Sequence, residues 1–202
     1  MHLQKANLEK LYLKRKLSSA EIARLLKCSP TGVDYWIKKF KIKKRTISDA
    51  IYTKHNPNGD PFTFNRPSNF QTWFLYGLGL GLYWVEGTKS NIVSVRLGNA
   101  DPRLIKSFIN FLLITFKIDK NKLRFGLQLF SDIDPKDALR YWQKYLKIKN
   151  SQFYKIIITP STKQGTYKRK LKHGVLTLYF NNKKLRDLLC NLIENQVLMY
   201  YH

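Results

Sequence analysis

Glu86 is the residue best suited to do chemistry. It closes the stretch GLGLGLYWVEG, residues 77 to 87, and no other acidic residue falls between Asp60 and Asp101. The chain carries 37 lysines and arginines against 13 acidic residues, a formal net charge of +24. A lone carboxylate ending a glycine-spaced apolar helix in so basic a chain suits one task, which is to hold a divalent cation in front of a polyanion. Two such carboxylates brought close would repel and raise each other's pKa, and a cation relieves the repulsion. Mg²⁺, or Mn²⁺ in its place, accepts a few carboxylates and completes its shell with water and phosphate oxygens. An ion clamped between attacking and leaving oxygens promotes phosphodiester hydrolysis.

The helix that positions Glu86 is predicted to start at Phe70, with Asn69 as its cap. Gly77, Gly79 and Gly81 fall within five residues of one another. Each costs a helix about 1 kcal/mol relative to alanine, and close approach of a second helix is the usual reason to accept that. Gly77, Leu78, Gly81 and Leu82 are therefore the expected packing face for a second copy of the chain. Gly87 ends the helix.

The segment resembles the LAGLIDADG motif of homing endonucleases. Gly81 and Leu82 match its central Gly-Leu, and Glu86 and Gly87 match its final Asp-Gly. Gly79 replaces its first Leu, Leu80 its Ala, and Trp84 its first Asp. The resemblance implies two such helices packed along a two-fold axis, with their terminal acids binding Mg²⁺ between two DNA strands. The chain holds one motif, so the resemblance implies a homodimer. It further implies Glu86 as catalytic residue and metal ligand, with Gly87 beside it at the metal. Lys89 and the lysines of a later basic segment become candidates to sit near the scissile phosphate.

Composition narrows the class. Hydrophobic residues make up 44% of 202, enough for a real core and too many for a disordered polycation. The charge attracts nucleic acid or an anionic membrane. Trp73 to Val85, the longest apolar run, is 13 residues, too short to span a bilayer. Cys28 and Cys190 lie far apart and the histidines are scattered, so neither a zinc site nor a disulfide framework is suggested. No apolar signal core opens the chain. An intracellular setting, cytoplasm or nucleoid, is expected, with no membrane.

Residues 1–45 pattern as short amphipathic helices. Leu8, Leu11, Tyr12 and Leu13 mark the first. Ser18 or Ser19 caps the next, with Glu21 in its first turn and Ile22, Ala23, Leu25 and Leu26 on its apolar side. Ser29 caps a third, Pro30 opens it, and Val33, Trp36, Ile37 and Phe40 form its stripe. Two short helices joined by a tight turn resemble the helix-turn-helix family, in its resolvase-like and transposase-like forms. That resemblance implies a second helix entering the major groove of double-stranded DNA. It would present Ser29, Thr31, Gly32, Asp34 and Tyr35 to bases, and Lys38 and Lys39 to phosphates. Lys41, Lys43, Lys44 and Arg45 follow on the backbone.

Residues 46–69, rich in proline and asparagine, read as a linker. Beyond Glu86 the pattern predicts a strand over 92–98, and a helix capped by Asp101 and opened by Pro102. A strand over 123–130 and a helix capped by Asp134 follow. Strands over 154–159 and 175–180 and a helix from about Lys183 complete the order. Arg96, Arg124 and Gln128 stand on strands where they suit guanine and adenine edges. Lys163, Lys168, Arg169, Lys170 and Lys172 line a basic hairpin fit to track phosphates. Asp132, Asp134 and Asp137 are better explained by helix capping than by a metal.

The expected fold is α+β. It joins a helix-turn-helix bundle (1–45) and a linker (46–69) to a LAGLIDADG-like mixed α/β domain with a curved antiparallel sheet (70–202). The expected function is sequence-specific DNA binding with Mg²⁺-dependent cleavage by a homodimer. The alternatives are a non-catalytic transcription regulator on the same scaffold, or an RNA-binding maturase-like protein.

Overall fold

The structure is a computed structural model that describes residues 3–161 and 172–198. The chain divides into two compact units, Met1–Pro61 and Phe62–His202.

The first unit is helical. α1 (Lys5–Glu9) runs on into a π-helical turn, Lys10–Lys14, and is followed by α2 (Ser19–Leu25), α3 (Pro30–Lys39) and α4 (Ile47–His55). Ser18 accepts from the Glu21 amide at 3.2 Å while the Glu21 carboxylate takes the Ser18 amide at 2.8 Å, a reciprocal cap. Ser29 caps α3 with Pro30 at its first position. Leu8, Leu11, Tyr12, Ile22, Ala23, Val33 and Ile37 form the core, with Leu26, Trp36 and Phe40 packed against it. Leu25, expected on the apolar side of α2, is half exposed because that helix buries Ile22 and Ala23, and Leu13 of the first helical stretch is half exposed as well. α4 occupies much of the stretch expected to be linker and buries none of its residues.

The second unit is a four-stranded sheet with helices on one face. α5 (Phe70–Glu86) leads to β1 (Val95–Asn99), α6 (Pro102–Phe116), β2 (Arg124–Phe130), α7 (Pro135–Leu146), β3 (Ile157–Thr159), β4 (Val175–Phe180) and α8 (Lys183–Leu198). Asn69, Asp101 and Asp134 cap their helices as expected. The strand order is β1-β4-β2-β3. β4 pairs antiparallel with β1 and β2, but β3 pairs parallel with β2. The sheet is thus mixed and open, not wholly antiparallel. α7 carries the chain back along the sheet between β2 and β3, and a helical crossover makes its flanking strands parallel. β1 starts three residues late because the Asn91 side chain takes the Val93 and Ser94 amides in a turn. β3 covers half of its expected span. Between α5 and β1 there is only a single bridge, Gly87 to Leu97.

Strand alternation separates the two faces of the sheet. Val95, Leu97, Phe125, Leu127, Leu129, Leu176, Leu178 and Phe180 point into the core, with Phe108, Phe111 and Leu112 of α6, Trp142 of α7 and Leu185 and Leu189 of α8. Phe62 also packs there, and the Thr63 and Asn65 amides donate to the Phe116 and Thr115 carbonyls at 2.9 and 2.7 Å.

The glycines of α5 divide by direction. A Cβ on Gly79 would lie 2.0 Å from the Phe111 ring, so this glycine lets α5 close on α6. A Cβ on Gly77 or Gly81 would meet nothing within 4 Å. Lysine takes the left-handed conformation just past several helical segments, at Lys16, Lys27, Lys41, Lys117 and Lys147. Gly79→Ala is expected to destabilise the second unit by about 1–3 kcal/mol through overpacking. Gly81→Ala, in dilute solution, should stabilise it by up to about 1 kcal/mol through helix propensity. Urea denaturation of the two variants checks this, and equal effects would contradict the division.

Candidate nucleic-acid interface

Glu86 stands exposed at the last position of α5, and its carboxylate has no hydrogen bond or ion pair among the described residues. A helix C-terminus is the negative end of the macrodipole, so an acid there works against stability. Gly87 follows with an extended backbone, φ −73° and ψ 137°, and does not take the left-handed form common at helix ends. It must be glycine for space, because a Cβ would lie 2.3 Å from the Tyr83 carbonyl and 2.4 Å from its ring. Tyr83 is fully buried, and burial pushes its phenol up to about 12.

The loop after Glu86 is held firmly. The Lys89 ammonium reaches back to the Trp84 carbonyl, a cation on the carbonyl end of α5. Arg186 of α8 donates to the main-chain carbonyls of Lys89 at 2.5 Å and Asn91 at 3.1 Å. Asp187 backs the same guanidinium at 3.1 Å. No local pattern marks Arg186 for this, since its main-chain partners lie 95 and 97 positions away in sequence.

The face of the sheet opposite the helices presents two cross-strand rows. Arg96, Tyr179 and Arg124 form one, and Gly98, Thr177 and Gly126 the next. The Arg96 guanidinium lies over the Tyr179 ring, 5.3 Å from its centroid. Arg124 turns one terminal nitrogen to the Asn121 and Leu123 carbonyls at 2.7 and 2.9 Å. Gln128 is exposed, with its amide 3.3 Å from the Thr159 hydroxyl. The three expected reading residues therefore do share one open face. Tyr179 and Thr177 between them escaped the sequence reading. Only the pairing of β4 between β1 and β2 brings them there.

In the first unit, Thr31, Tyr35, Lys38 and Lys43 are exposed and make no side-chain hydrogen bond among the described residues. The other expected contacts have internal partners. The Ser29 hydroxyl takes the Gly32 amide at 3.1 Å, and a Cβ on Gly32 would press on that hydroxyl. Lys39 lies over the Trp36 ring at 4.6 Å. Lys44 pairs with Asp34 at 2.9 Å. Arg45 stacks on Tyr12 and donates to the Lys16 and Leu17 carbonyls at 2.8 and 2.5 Å, so it clasps the turn before α2. Arg15, Lys16, Arg24 and Lys54, absent from the expected set, line a basic depression with Lys44 and Arg45.

Lys163, Lys168, Arg169 and Lys170 lie outside the described residues, and Lys172 is exposed at their border. Among the described residues there is no cluster of three or more His, Cys, Asp or Glu. Asp134 caps α7 and Asp137 pairs with Arg140. None of the described helices is long and apolar enough to cross a membrane. No protein-family model, curated protein or solved structure matches this chain.

Asp34 is pinned within its own unit and not turned to a ligand. The Ser19 hydroxyl donates to it at 2.6 Å and holds its carboxyl below the ordinary value of 3.8, with Lys44 adding to the effect. A depressed folded pKa means stabilisation that is present above the unfolded value and lost as pH falls through the folded one. Asp34→Asn should therefore destabilise the first unit by about 1 kcal/mol at neutral pH. That difference should close as pH falls below 3.8. Hydrogen exchange of α2 and α3 across pH measures it.

Proposed function

We propose that this chain is a homodimeric, site-specific endonuclease of double-stranded DNA. In this reading it is an intracellular protein built as the LAGLIDADG resemblance implies, with a helix-turn-helix in its first unit. One observation carries the proposal: an unpartnered acid, Glu86, ends a helix whose outer side is apolar along its length. Phe70, Phe74, Leu78, Trp84 and Val85 are exposed along that side. A contiguous apolar face is a contact surface. Gly77 and Gly81 on the same helix leave room for another backbone to approach. A second α5 laid there brings two Glu86 carboxylates together. Leu82, half buried against its own core, joins this contact only from the side.

The residues fit Mg²⁺ or Mn²⁺. Glu86 offers a carboxylate without a partner among the described residues, beside the Gly87 main chain, and no cluster of three or more His, Cys, Asp or Glu competes for the ion among them. That suits an ion that keeps several waters and takes phosphate oxygens. When bound, the ion supplies Lewis-acid polarisation of the phosphate and a more acidic water. The chain's own residues do the rest. Glu86 binds and fixes the position. Arg186 holds the loop that carries Lys89 beside the phosphate. The open sheet face tracks the groove, and Thr31, Tyr35, Lys38 and Lys43 of the first unit also engage DNA.

The bond from Lys89 to the Trp84 carbonyl favours a second reading, a DNA-binding regulator on the same scaffold that does not cut. Selection of bound duplexes from a random pool, followed by Mg²⁺ or Mn²⁺, separates the two. The nuclease predicts cleavage that Glu86→Gln abolishes while binding persists, with stability unchanged or slightly raised because a charge leaves the negative helix end. Binding without cutting assigns the regulator. A preference for structured RNA over any duplex assigns neither and points to an RNA-binding protein. Leu78→Glu is expected to halve the mass seen by sedimentation, down to the 23.9 kDa of one chain.

A further inference from the structure

We propose that Arg96 reads a guanine from the major groove, and that Ser94 and Tyr179 hold it in its reading pose. This inference rests on the duplex-DNA function above and adds a base identity to it.

Three features set Arg96 apart from the other basic residues of the sheet. Its inner nitrogen, Nε, donates to the Ser94 hydroxyl at 2.9 Å. Ser94 is buried, and its hydroxyl donates in turn to the Asn91 side-chain oxygen at 2.9 Å, so its lone pairs face Arg96. The guanidinium carbon lies over the Tyr179 ring, which edges against Tyr154 and spreads over Gly126, where a Cβ would lie 3.1 Å away. Both terminal nitrogens of Arg96 have no hydrogen-bond partner among the described residues. An arginine fixed at Nε and on one face, with its fork open, matches the paired acceptors N7 and O6 of guanine. Arg124 on the far side of Tyr179 differs, because one of its terminal nitrogens is engaged by two main-chain carbonyls.

The surroundings admit a base edge. The next row, Gly98, Thr177 and Gly126, carries no side chain larger than threonine. The Tyr179 ring covers the Gly126 end of this row, and at its Gly98 end, beside the Arg96 fork, a duplex can approach the sheet. Duplex RNA does not fit, because its major groove is too deep and narrow for side chains.

The test repeats the duplex selection with the full chain and with Arg96→Gln, Arg96→Lys and Ser94→Ala. Arg96→Gln should lose preference for guanine at one position of each half-site, by about five- to 100-fold, and leave the other positions unchanged. Arg96→Lys should recover overall affinity without recovering that guanine. Ser94→Ala should weaken discrimination at the same position with its melting temperature nearly unchanged, an effect that lost stability does not produce. Uniform weakening at all positions would make Arg96 a phosphate contact and overturn the inference, as would an unchanged profile. Enriched duplexes with no guanine dependence on Arg96 leave DNA binding standing and remove this proposal alone. Failure of the parent chain to enrich any duplex overturns both.

Discussion

The contact between Gly79 and the Phe111 ring fixes most of what matters in the larger unit. A helix presents different faces at neighbouring residues, so seating Gly79 against α6 turns Gly77 and Gly81 outward. It also carries Tyr83 into the core, stacked on Phe108 at 5.9 Å between centroids. With Tyr83 buried, the helix end at Glu86 comes to the surface and Gly87 is left no room for a side chain. The rotation of α5 about its own axis is thus set by a single missing methyl group. The exposed acid and the apolar outer stripe both follow from that rotation.

The sheet obeys an equally simple rule. Each strand alternates, and the helices cover one side, so the uncovered side collects every second residue of each strand. Arg96, Arg124 and Gln128 share that side because of parity. Parity does not decide which of them remains free. Main-chain carbonyls at the turn before β2 engage Arg124, and a buried serine orients Arg96. Two positions of one cross-strand row with identical side chains therefore differ in what they can offer.

The local features of the fold were legible in the sequence. The caps at Ser18, Ser29, Asn69, Asp101 and Asp134 were readable because a cap and its partner lie within a few residues. β4 was readable to the residue, Val175 to Phe180, because strict alternation marks it. Partners distant in sequence were not. The parallel pairing of β3 depends on where α7 delivers the chain. The engagement of Arg45 with carbonyls near α2, and of Arg186 with the loop after Glu86, joins residues up to 97 positions apart. A basic residue looks the same in sequence whether it faces solvent or clasps a turn, so charge counting overstated the number of free cations. The three glycines of α5 were singled out as a close-packing signal, and Gly79 does make such a contact, with α6. Their spacing alone did not reveal that the middle one packs inward.

The left-handed lysines carry a different implication. Glycine is the easier residue at such a position, since it pays no steric penalty there. Lysine at Lys16, Lys27, Lys41, Lys117 and Lys147 instead anchors a cation to the end of a helical segment. The backbone beneath each of these charges is already ordered when the protein folds, an entropy of about 1–2 kcal/mol per residue that a flexible basic tail surrenders only on meeting its ligand. Within each unit the cations thus form a template of fixed spacing. A polyanion of matching contour can release its counterions onto that template with little further ordering of the protein, and one of different contour engages only part of it.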